Sequence, residues 1–426
     1  MMGGNTGLQK TTSYKVVLPF YIYAALSFLL ACWLLFTSAG AMQQHYFHPH
    51  TLAITHLMAL GWGTMIILGA SHQLVPVLIE GKLYSNILAY LSFFAAAIGI
   101  PFLVGGFYYY HTGWPLQTGA VLINAAIAFY LINIGGSIYQ SKRHNIYAFF
   151  IFTAALWLLA TTFFGLLLVF NFTYSFLPQD SLSYLPIHAH MGLAGWFLLL
   201  VLAVGSRLIP MFLISKYTNN KILWWIFGLI NMALIGFILL RSFHISAHYY
   251  YSPFLLVAIA LILFSRYCYN AYKSRIRKQV DEQMKMSLLS VALLFLPILC
   301  LLVVIYFLTM EAKPNLILLY GFCIFFGWIT AIILGMTFKT LPFIVWNKVY
   351  HQRAHAGKTP APKELFNDRL FQYMSISYLL GFGIFISGIL LLQDILLKAG
   401  AIALLLSAVL YVWNVAITIF HQPAKS

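Results

Sequence analysis

Residues 56–76 read HLMALGWGTMIILGASHQLVP, and two further stretches of the chain follow the same pattern. Residues 190–210 read HMGLAGWFLLLVLAVGSRLIP, and residues 322–342 read FCIFFGWITAIILGMTFKTLP. In each stretch a Gly-Trp pair is followed by an apolar run. A proline stands fourteen residues after the tryptophan (76−62, 210−196 and 342−328). Such self-similarity within one chain indicates an internal repeat.

The three copies are evenly spaced along the chain. Their tryptophans lie 134 and 132 residues apart (196−62 and 328−196). Each interval has room for four membrane helices, so we predict three pseudo-symmetric four-helix repeats at about residues 14–140, 146–270 and 287–421. Helices 2, 6 and 10 then hold equivalent positions in one membrane domain that covers residues 1–426. Membrane bundles built from repeats carry their sites between the repeats.

The composition places the whole chain in a membrane. Its 426 residues are 62% hydrophobic and 17% aromatic, with 24 Lys and Arg and 8 Asp and Glu residues. A soluble protein exposes far more charge, so a soluble enzyme and a nucleic-acid-binding domain are both excluded. The net charge of +16 comes from short basic clusters between apolar runs, as is typical of membrane proteins. The four cysteines have no short repeat spacing that would indicate a disulfide framework or a metal site.

Twelve apolar runs are long enough to cross a bilayer, which takes about 20 residues. They begin near residues 16, 51, 86, 116, 146, 187, 222, 251, 288, 315, 370 and 399. The first run, residues 14–40, is too long for the apolar part of a signal peptide and carries no small-residue cleavage site. We therefore predict an all-α, polytopic membrane protein with twelve transmembrane helices, surrounded by lipid.

The basic residues predict the orientation, because Lys and Arg near helix ends stay on the cytoplasmic side. With the N-terminus inside, the outer loops keep only Arg241, Lys313 and Lys398, and most other basic residues face the cytoplasm. Both termini are thus expected to be cytoplasmic, in a bacterial inner membrane. Nine of the fourteen histidines distribute the opposite way, on the outer loops or outer helix ends: His45, His48, His50, His56, His111, His188, His190, His244 and His248.

His56 and His190 occupy the same position in two copies of the repeat, six residues before the tryptophan (62−56 and 196−190). Phe322 stands there in the third copy. Two imidazoles at one depth on equivalent helices could converge on a cofactor, and axial ligation of haem iron is the commonest such use. Trp62 and Trp196 supply aromatic neighbours of the kind a haem contacts. The alternative is a pair of interfacial histidines whose hydrogen bonds go to the backbone or to lipid headgroups.

Further histidines suggest a second, metal-binding site. His188 and His190 form a His-x-His, and His244 and His248 are four residues apart, on one helical face if helix 7 continues that far. Imidazole clusters without thiolates suit copper, zinc or iron. We predict a candidate copper site at His190 with His244 and His248, with His188 able to join if the helix begins between it and His190. The alternative is a set of polar residues on an outer loop. His45, His48 and His50 are equally consistent with a solvated loop and a metal-loading site.

A row of polar residues lies near the inner ends of the same three helices. Three residues before the shared proline stand Gln73, Arg207 and Lys339. Long basic side chains at this depth can extend to the interface as anchors. The alternative is an anion path, which would make the protein a solute transporter. His72, sixteen residues after His56 (72−56), is expected to be structural.

Twelve helices in three four-helix arcs, with histidines near the outer ends of helices 2, 6 and 7, resemble subunit I of the haem-copper oxidases and nitric-oxide reductases. The resemblance covers essentially the whole chain. It implies that His56 is a haem ligand, that His190 is a copper ligand, and that His244 and His248 correspond loosely to the copper-binding pair of helix 7. Helix 10, however, has no histidine between Leu316 and Ile344, and acids are almost absent from the helices. Electron transfer or nitrogen-oxide chemistry is therefore favoured over proton-pumping oxygen reduction.

A second resemblance is local. The sequence His188-Ala-His190-Met191 is similar to the His-Ala-His-Glu-Met pattern of NnrS-type haem-copper membrane proteins, without the glutamate. Together the two resemblances imply a redox protein that binds b-type haem, with copper as a second candidate cofactor. No Cys-x-x-Cys-His motif is present in the sequence, so the expected electron donor is a quinol or a separate cytochrome. A copper- or zinc-handling protein and a solute transporter on the same fold remain the alternatives.

Overall fold

The computed structural model describes residues 12–141, 145–276, 278–308, 314–350 and 359–422. Lys313, which was assigned to an outer loop, lies outside these residues. Within them the chain forms helices and turns, with one isolated bridge between Ser215 and Arg275 and no β-strand. The all-α fold predicted from the sequence is therefore confirmed.

Twelve helices in the described part of the chain are long and apolar enough to cross a membrane, so the protein is an integral, polytopic membrane protein as predicted. We number them 1 to 12 in chain order. Their bounds are Tyr14–Thr37, Pro49–Leu78, Asn86–Tyr108, Trp114–Tyr139, Ile146–Tyr174, Ser181–Phe212, Asn220–Ser242, Ala247–Lys273, Glu282–Leu308, Pro314–Tyr350, Asp368–Leu391 and Asp394–Ile419.

Successive helices run in opposite directions, so their connections alternate between two ends of the bundle. We call the end with connections 38–48, 109–113, 175–180 and 243–246 the histidine end. The opposite end, with connections 79–85, 213–219 and 274–281, is the basic end.

Helices 2, 6 and 10 form the interior of the bundle. In the most apolar 18-residue window of each, 72, 67 and 72% of the residues are buried, against 22 to 61% in the other nine helices. The outer helices cover them, so their side chains contact protein on most sides. The three helices that carry the sequence repeat are thus the three central helices.

Each central helix widens into a π-helix at its Gly-Trp pair. The π segments are Leu57–Thr64, Met191–Leu198 and Cys323–Ile329. Each begins one residue after the position of His56, His190 and Phe322, so the distortion has the same register in all three copies. A π-helix closes its hydrogen bonds over five residues and is frequently found at functional sites.

Two of the three repeat tryptophans form hydrogen bonds between the central helices, and a third such bond would close a cycle. Trp62 Nε1 donates to Thr330 Oγ1 at 3.1 Å, and Trp196 Nε1 donates to Thr64 Oγ1 at 3.1 Å. Helix 2 is thereby bonded to helix 10, and helix 6 to helix 2. Each acceptor stands two residues after the tryptophan of its own helix. These bonds are buried, and a buried N–H without an acceptor carries a desolvation cost.

The third bond of this cycle is not formed. Trp328 Nε1, on helix 10, is buried without a hydrogen-bond partner among the described residues. The equivalent acceptor position on helix 6 is Leu198, whose side chain has no oxygen. The pattern of tryptophan hydrogen bonds is therefore interrupted at helix 6, where leucine takes the position that is threonine in helices 2 and 10.

The glycine of the Gly-Trp pair allows close approach of an outer helix. A Cβ added at Gly61 would lie 2.7 Å from Ser27 Oγ of helix 1, and one added at Gly195 would lie 2.6 Å from Trp157 Cγ of helix 5. Distances below 3.0 Å are not tolerated without movement of the neighbour. Helices 1 and 5 therefore hold equivalent places beside helices 2 and 6.

The shared prolines leave a carbonyl free four residues earlier, because proline has no N–H to donate. Two of these carbonyls accept a hydroxyl instead. Thr12 Oγ1 donates to the His72 oxygen at 2.8 Å, and the Tyr267 hydroxyl donates to the Ser206 oxygen at 3.1 Å. Such side-chain donors allow proline to stand inside a membrane helix.

The first and third repeats also share a capping arrangement. Asn133 Oδ1 of helix 4 accepts from the Ser85 N–H at 2.9 Å, and Asn414 Oδ1 of helix 12 accepts from the Asn367 N–H at 2.8 Å. Ser85 and Asn367 are the N-cap residues of helices 3 and 11. These pairs fit the proposed repeat relationship, while the repeat boundaries at 14–140, 146–270 and 287–421 stay a prediction.

Candidate functional site

A cavity of about 970 Å³ lies among the helices at the histidine end. Small-molecule and cofactor sites have volumes of about 300–1,000 Å³, so this cavity is at the large end of that range. Its wall is mostly apolar, and the described residues that line it include no Asp or Glu. Its histidine and arginine side chains are His56, His188, His190, Arg241 and His244.

His56 and His190 face this cavity with the same orientation. The Nδ1 atom of His56 lies 2.8 Å from the Leu52 oxygen, and that of His190 lies 2.8 Å from the Pro186 oxygen, in each case four residues earlier. A carbonyl oxygen can only accept, so Nδ1 carries the proton. In a neutral ring, Nε2 then keeps its lone pair. The sequence prediction that these two histidines share one site is consistent with their place on one cavity wall.

His188 of helix 6 lies beside His56 of helix 2, a contact that the sequence analysis did not predict. The centroids of the two rings are 6.3 Å apart and the ring planes differ by 24°. The Nδ1 atom of His188 is buried without a hydrogen-bond partner in the described part of the chain. Gly165 of helix 5 provides the space for this ring, because a Cβ there would lie 2.7 Å from His188 Cε1.

His190 has a different neighbour. Its Nε2 atom lies 3.4 Å from the Tyr320 hydroxyl of helix 10, and the two rings are 6.0 Å apart with planes differing by 21°. Its other face contacts Phe237 of helix 7, at 4.8 Å between centroids. Sequence reasoning did not select Tyr320, although it stands two residues before Phe322, as His188 stands two before His190.

Phe322 takes the third equivalent position and continues the apolar wall. Its ring stacks on Phe385 at 4.4 Å and on Phe326 at 5.0 Å between centroids. The cavity is therefore asymmetric, with imidazoles on helices 2 and 6 and an aromatic cluster on helix 10.

The two tryptophans predicted to contact a cofactor differ in position. Trp196 lines the cavity and is fully buried. Trp62 is also fully buried, but it is not among the residues that line the cavity. Its indole stacks on Phe28 at 4.6 Å and contacts Tyr411 at 5.2 Å between centroids, on the opposite side of helix 2. Trp62 is thus a packing residue in this structure.

His244 and His248 do not lie on one helical face, because helix 7 ends at Ser242. His244 has a left-handed backbone, with φ at 54°, and its Nε2 lies 2.8 Å from the Gln179 side-chain nitrogen. His248 is exposed in the short helical turn Ala247–Tyr250 and does not line the cavity. The described residues contain no group of three or more His, Cys, Asp or Glu side chains that could hold a metal ion. The expected set of His190, His244 and His248 is therefore not assembled.

The histidines of the first loop have local structural roles. His45 Nδ1 accepts from the Phe47 N–H at 3.1 Å, and His48 Nδ1 accepts from the His50 N–H at 3.2 Å. His48 is the N-cap residue of helix 2. Partial burial and the nearby His50 lower the pKa of His48 below its usual value of 6.5. These bonds occupy Nδ1 of His45 and of His48, and the choice between a solvated loop and a metal-loading site stays a prediction.

Arg241 adds a cationic group that the sequence analysis treated only as an outer-loop charge. It is half-buried at the end of helix 7 and is the sole Lys or Arg side chain lining the cavity among the described residues. One of its terminal nitrogens donates to the Ser183 oxygen at 3.3 Å. A guanidinium beside an apolar cavity is suited to a ligand that carries a carboxylate.

The polar row near the basic end does not share one environment. Lys339 pairs with Asp281 and lies 5.5 Å above the Phe212 ring. Arg207 is exposed, and Gln73 Oε1 is buried without a hydrogen-bond partner in the described residues. Lys339 therefore has a carboxylate partner, which is the arrangement expected of an anchor.

The cavity meets the requirements of a haem better than those of a copper centre. Two histidines present oriented Nε2 atoms, a third has an unpartnered buried nitrogen, and the surrounding wall is apolar. Haem iron needs one or two axial ligands, whereas a protein copper site commonly needs three. No protein-family model and no curated protein sequence matches the chain.

Proposed function

We propose that this protein binds b-type haem in the cavity at the histidine end, with His56 as an iron ligand, and acts in electron transfer or nitrogen-oxide chemistry. The observation that carries the proposal is the orientation of the His56 ring on the wall of the cavity. Its Nδ1 is fixed by the Leu52 carbonyl, so the lone pair of Nε2 is available to a metal.

A hydrogen bond from Nδ1–H to a carbonyl does more than set the ring position. It selects the tautomer and raises the basicity of Nε2 as a ligand. The histidines that ligate metals in proteins are usually held in this way.

The rest of the cavity suits a large, flat group with one polar edge. Apolar side chains cover most of the wall and exclude water, and Trp196 and Phe322 offer ring surfaces. Arg241 stands where it can pair with the carboxylates of a haem. When bound, the haem would supply one-electron chemistry that the amino-acid side chains lack. The absence of Asp and Glu from the described lining favours electron transfer or nitrogen-oxide chemistry over proton-pumping oxygen reduction.

The distribution of basic residues supports an arrangement in which the basic end faces the cytoplasm of a bacterial cell and the histidine end faces outward. Electrons would then reach the cavity from a quinol in the membrane or from a separate cytochrome. Copper remains a second cofactor to be assayed.

An optical spectrum of the purified full-length protein tests the proposal. After expression with added haem, we expect a Soret band in the wild type and a band that is weaker or shifted in His56→Ala. His111→Ala is the matched control, because His111 is exposed at the same end and does not line the cavity. A colourless wild-type preparation, or equal bands in all three proteins, would overturn the proposal.

A further inference from the structure

The structure places a third imidazole opposite the proposed haem ligand. We propose that His188, rather than His190, would hold the haem iron together with His56. This inference rests on the proposed function. It assigns the site as a two-histidine haem centre between helices 2 and 6.

The distance between the two rings supports this assignment. Imidazole nitrogens bind metal ions at about 2.0–2.1 Å, so two nitrogens on one ion are about 4 Å apart. Adding the radius of each ring brings the expected separation of the centroids to roughly 6 Å. The observed separation between the centroids of His56 and His188 is 6.3 Å, which matches the separation expected for two imidazoles on one metal ion.

Hydrogen bonding alone does not explain an imidazole at this position, where the backbone of Thr161 is the polar group beside the His188 ring. Its Nδ1 is buried without a hydrogen bond in the described part of the chain, which is costly for a purely structural residue. The residues equivalent to His188 in the other two copies are Ile54 and Tyr320. The repeat therefore does not require histidine at this position. Binding of a ligand in the cavity would explain an imidazole at position 188.

The surroundings of His188 hold the ring in place by contact. Gly165 brings the backbone of helix 5 against the ring, so that any Cβ at this position would collide with Cε1. On the other side of the pair, the ring of His56 stacks on Phe107 at 4.6 Å between centroids. Both rings are therefore positioned before a ligand binds, which reduces the ordering cost of ligation.

His190 is directed toward a different group. Its Nε2 lies beside the Tyr320 hydroxyl, and its described ring contacts are with Tyr320 and Phe237. It shares the cavity with His56 but forms its ring contacts with helices 7 and 10. His190 and Tyr320 then form a polar pair on the wall rather than a ligand to the same iron.

The spin state of the bound haem tests this assignment. Two imidazole ligands give six-coordinate, low-spin iron, and loss of one ligand gives five-coordinate, high-spin iron, which absorption and electron paramagnetic resonance spectra distinguish. We expect low-spin haem in the wild type and in His190→Ala. We expect high-spin haem in His188→Ala and in His188→Leu, which keeps the volume of the side chain. Free imidazole should return His188→Ala to the low-spin form.

The outcomes separate this inference from the proposed function. High-spin haem in His190→Ala together with low-spin haem in His188→Ala would overturn the assignment of His188 and leave haem binding intact. High-spin haem in the wild type would also overturn it, because only one histidine would then bind. A wild-type protein that takes up no haem would instead overturn the proposed function itself.

Discussion

The indole nitrogen of Trp196 donates a hydrogen bond to the hydroxyl of Thr64, 3.1 Å away, and so fastens helix 6 to helix 2. Trp62 and Thr330 repeat the same bond between helices 2 and 10. All four side chains are buried. Residues at equivalent positions of the sequence repeat therefore contact one another at the centre of the bundle, next to the wall of the cavity.

Replacing Thr330 by valine removes the acceptor for Trp62 and keeps the shape of the side chain. The indole N–H is then buried without a partner, so we expect a loss of about 1–3 kcal/mol of stability. Thermal unfolding in detergent measures the change. Thr153→Val, at a half-buried threonine for which the structure gives no hydrogen bond, is the control. Equal midpoints for the two variants would contradict the prediction.

The missing third bond can be restored. Leu198→Thr supplies a hydroxyl at the position where helices 2 and 10 carry threonine, and Trp328 Nε1 is the buried donor without a partner. In a double-mutant cycle with Trp328→Phe we expect a coupling free energy of about 1 kcal/mol. Equilibrium unfolding of the four proteins measures it. Strict additivity would mean that the new hydroxyl and the indole do not meet.

Gly195→Ala tests the close contact between helices 5 and 6. Its Cβ would lie 2.6 Å from Trp157 Cγ, so we expect overpacking to cost about 1–3 kcal/mol. Gly228→Ala makes the same substitution in helix 7 where nothing lies within 4 Å, and should change stability by no more than about 1 kcal/mol. Unfolding curves of both variants give the comparison, and a larger loss in Gly228→Ala would refute the packing argument.

Tyr267→Phe removes the hydroxyl that bonds the Ser206 carbonyl, which the proline at position 210 leaves without an N–H donor. We expect a loss of about 1–3 kcal/mol, because a buried carbonyl loses its partner. Tyr269→Phe is the control, since Tyr269 is 63% exposed on the same helix. The prediction fails if both substitutions lower the unfolding midpoint by the same amount.

The N-cap histidine of helix 2 predicts a pH effect. The pKa of His48 is lowered by burial and by His50, so the folded state favours the neutral ring. Its contribution to stability is present above pH 6.5 and is lost as the pH falls below 6.5 toward the folded pKa. We expect the wild type to lose more stability than His48→Asn between about pH 7.5 and about pH 5, a window that spans the ordinary pKa of histidine. An equal loss in both proteins would argue against a titrating cap.

Much of the architecture could be predicted from the chain alone. Apolar run length identified the twelve helices, because each must satisfy its backbone hydrogen bonds internally within lipid. The Gly-Trp copies identified helices 2, 6 and 10, which are the buried centre of the bundle. The shared offset of His56 and His190 also anticipated two rings on one cavity wall.

The composition of the site could not be predicted in the same way. The four-residue spacing of His244 and His248 predicts that they share one face of helix 7 if the helix continues that far. In the structure, helix 7 ends before both residues. The same spacing could not show that Trp62 turns toward Phe28 and away from the cavity. Two residues on different helices meet according to helix rotation and packing, which the local sequence does not record.

The sequence by itself determined which segments cross the membrane and which three helices repeat, because hydrophobic length and periodicity are properties of the local chain. Tertiary structure alone decided which imidazole faces His56. The His188 ring lies 6.3 Å from that of His56 between centroids, and it fits beside helix 5 because Gly165 has no side chain. These are consequences of side-chain packing between helices, and they exist only once the helices are assembled.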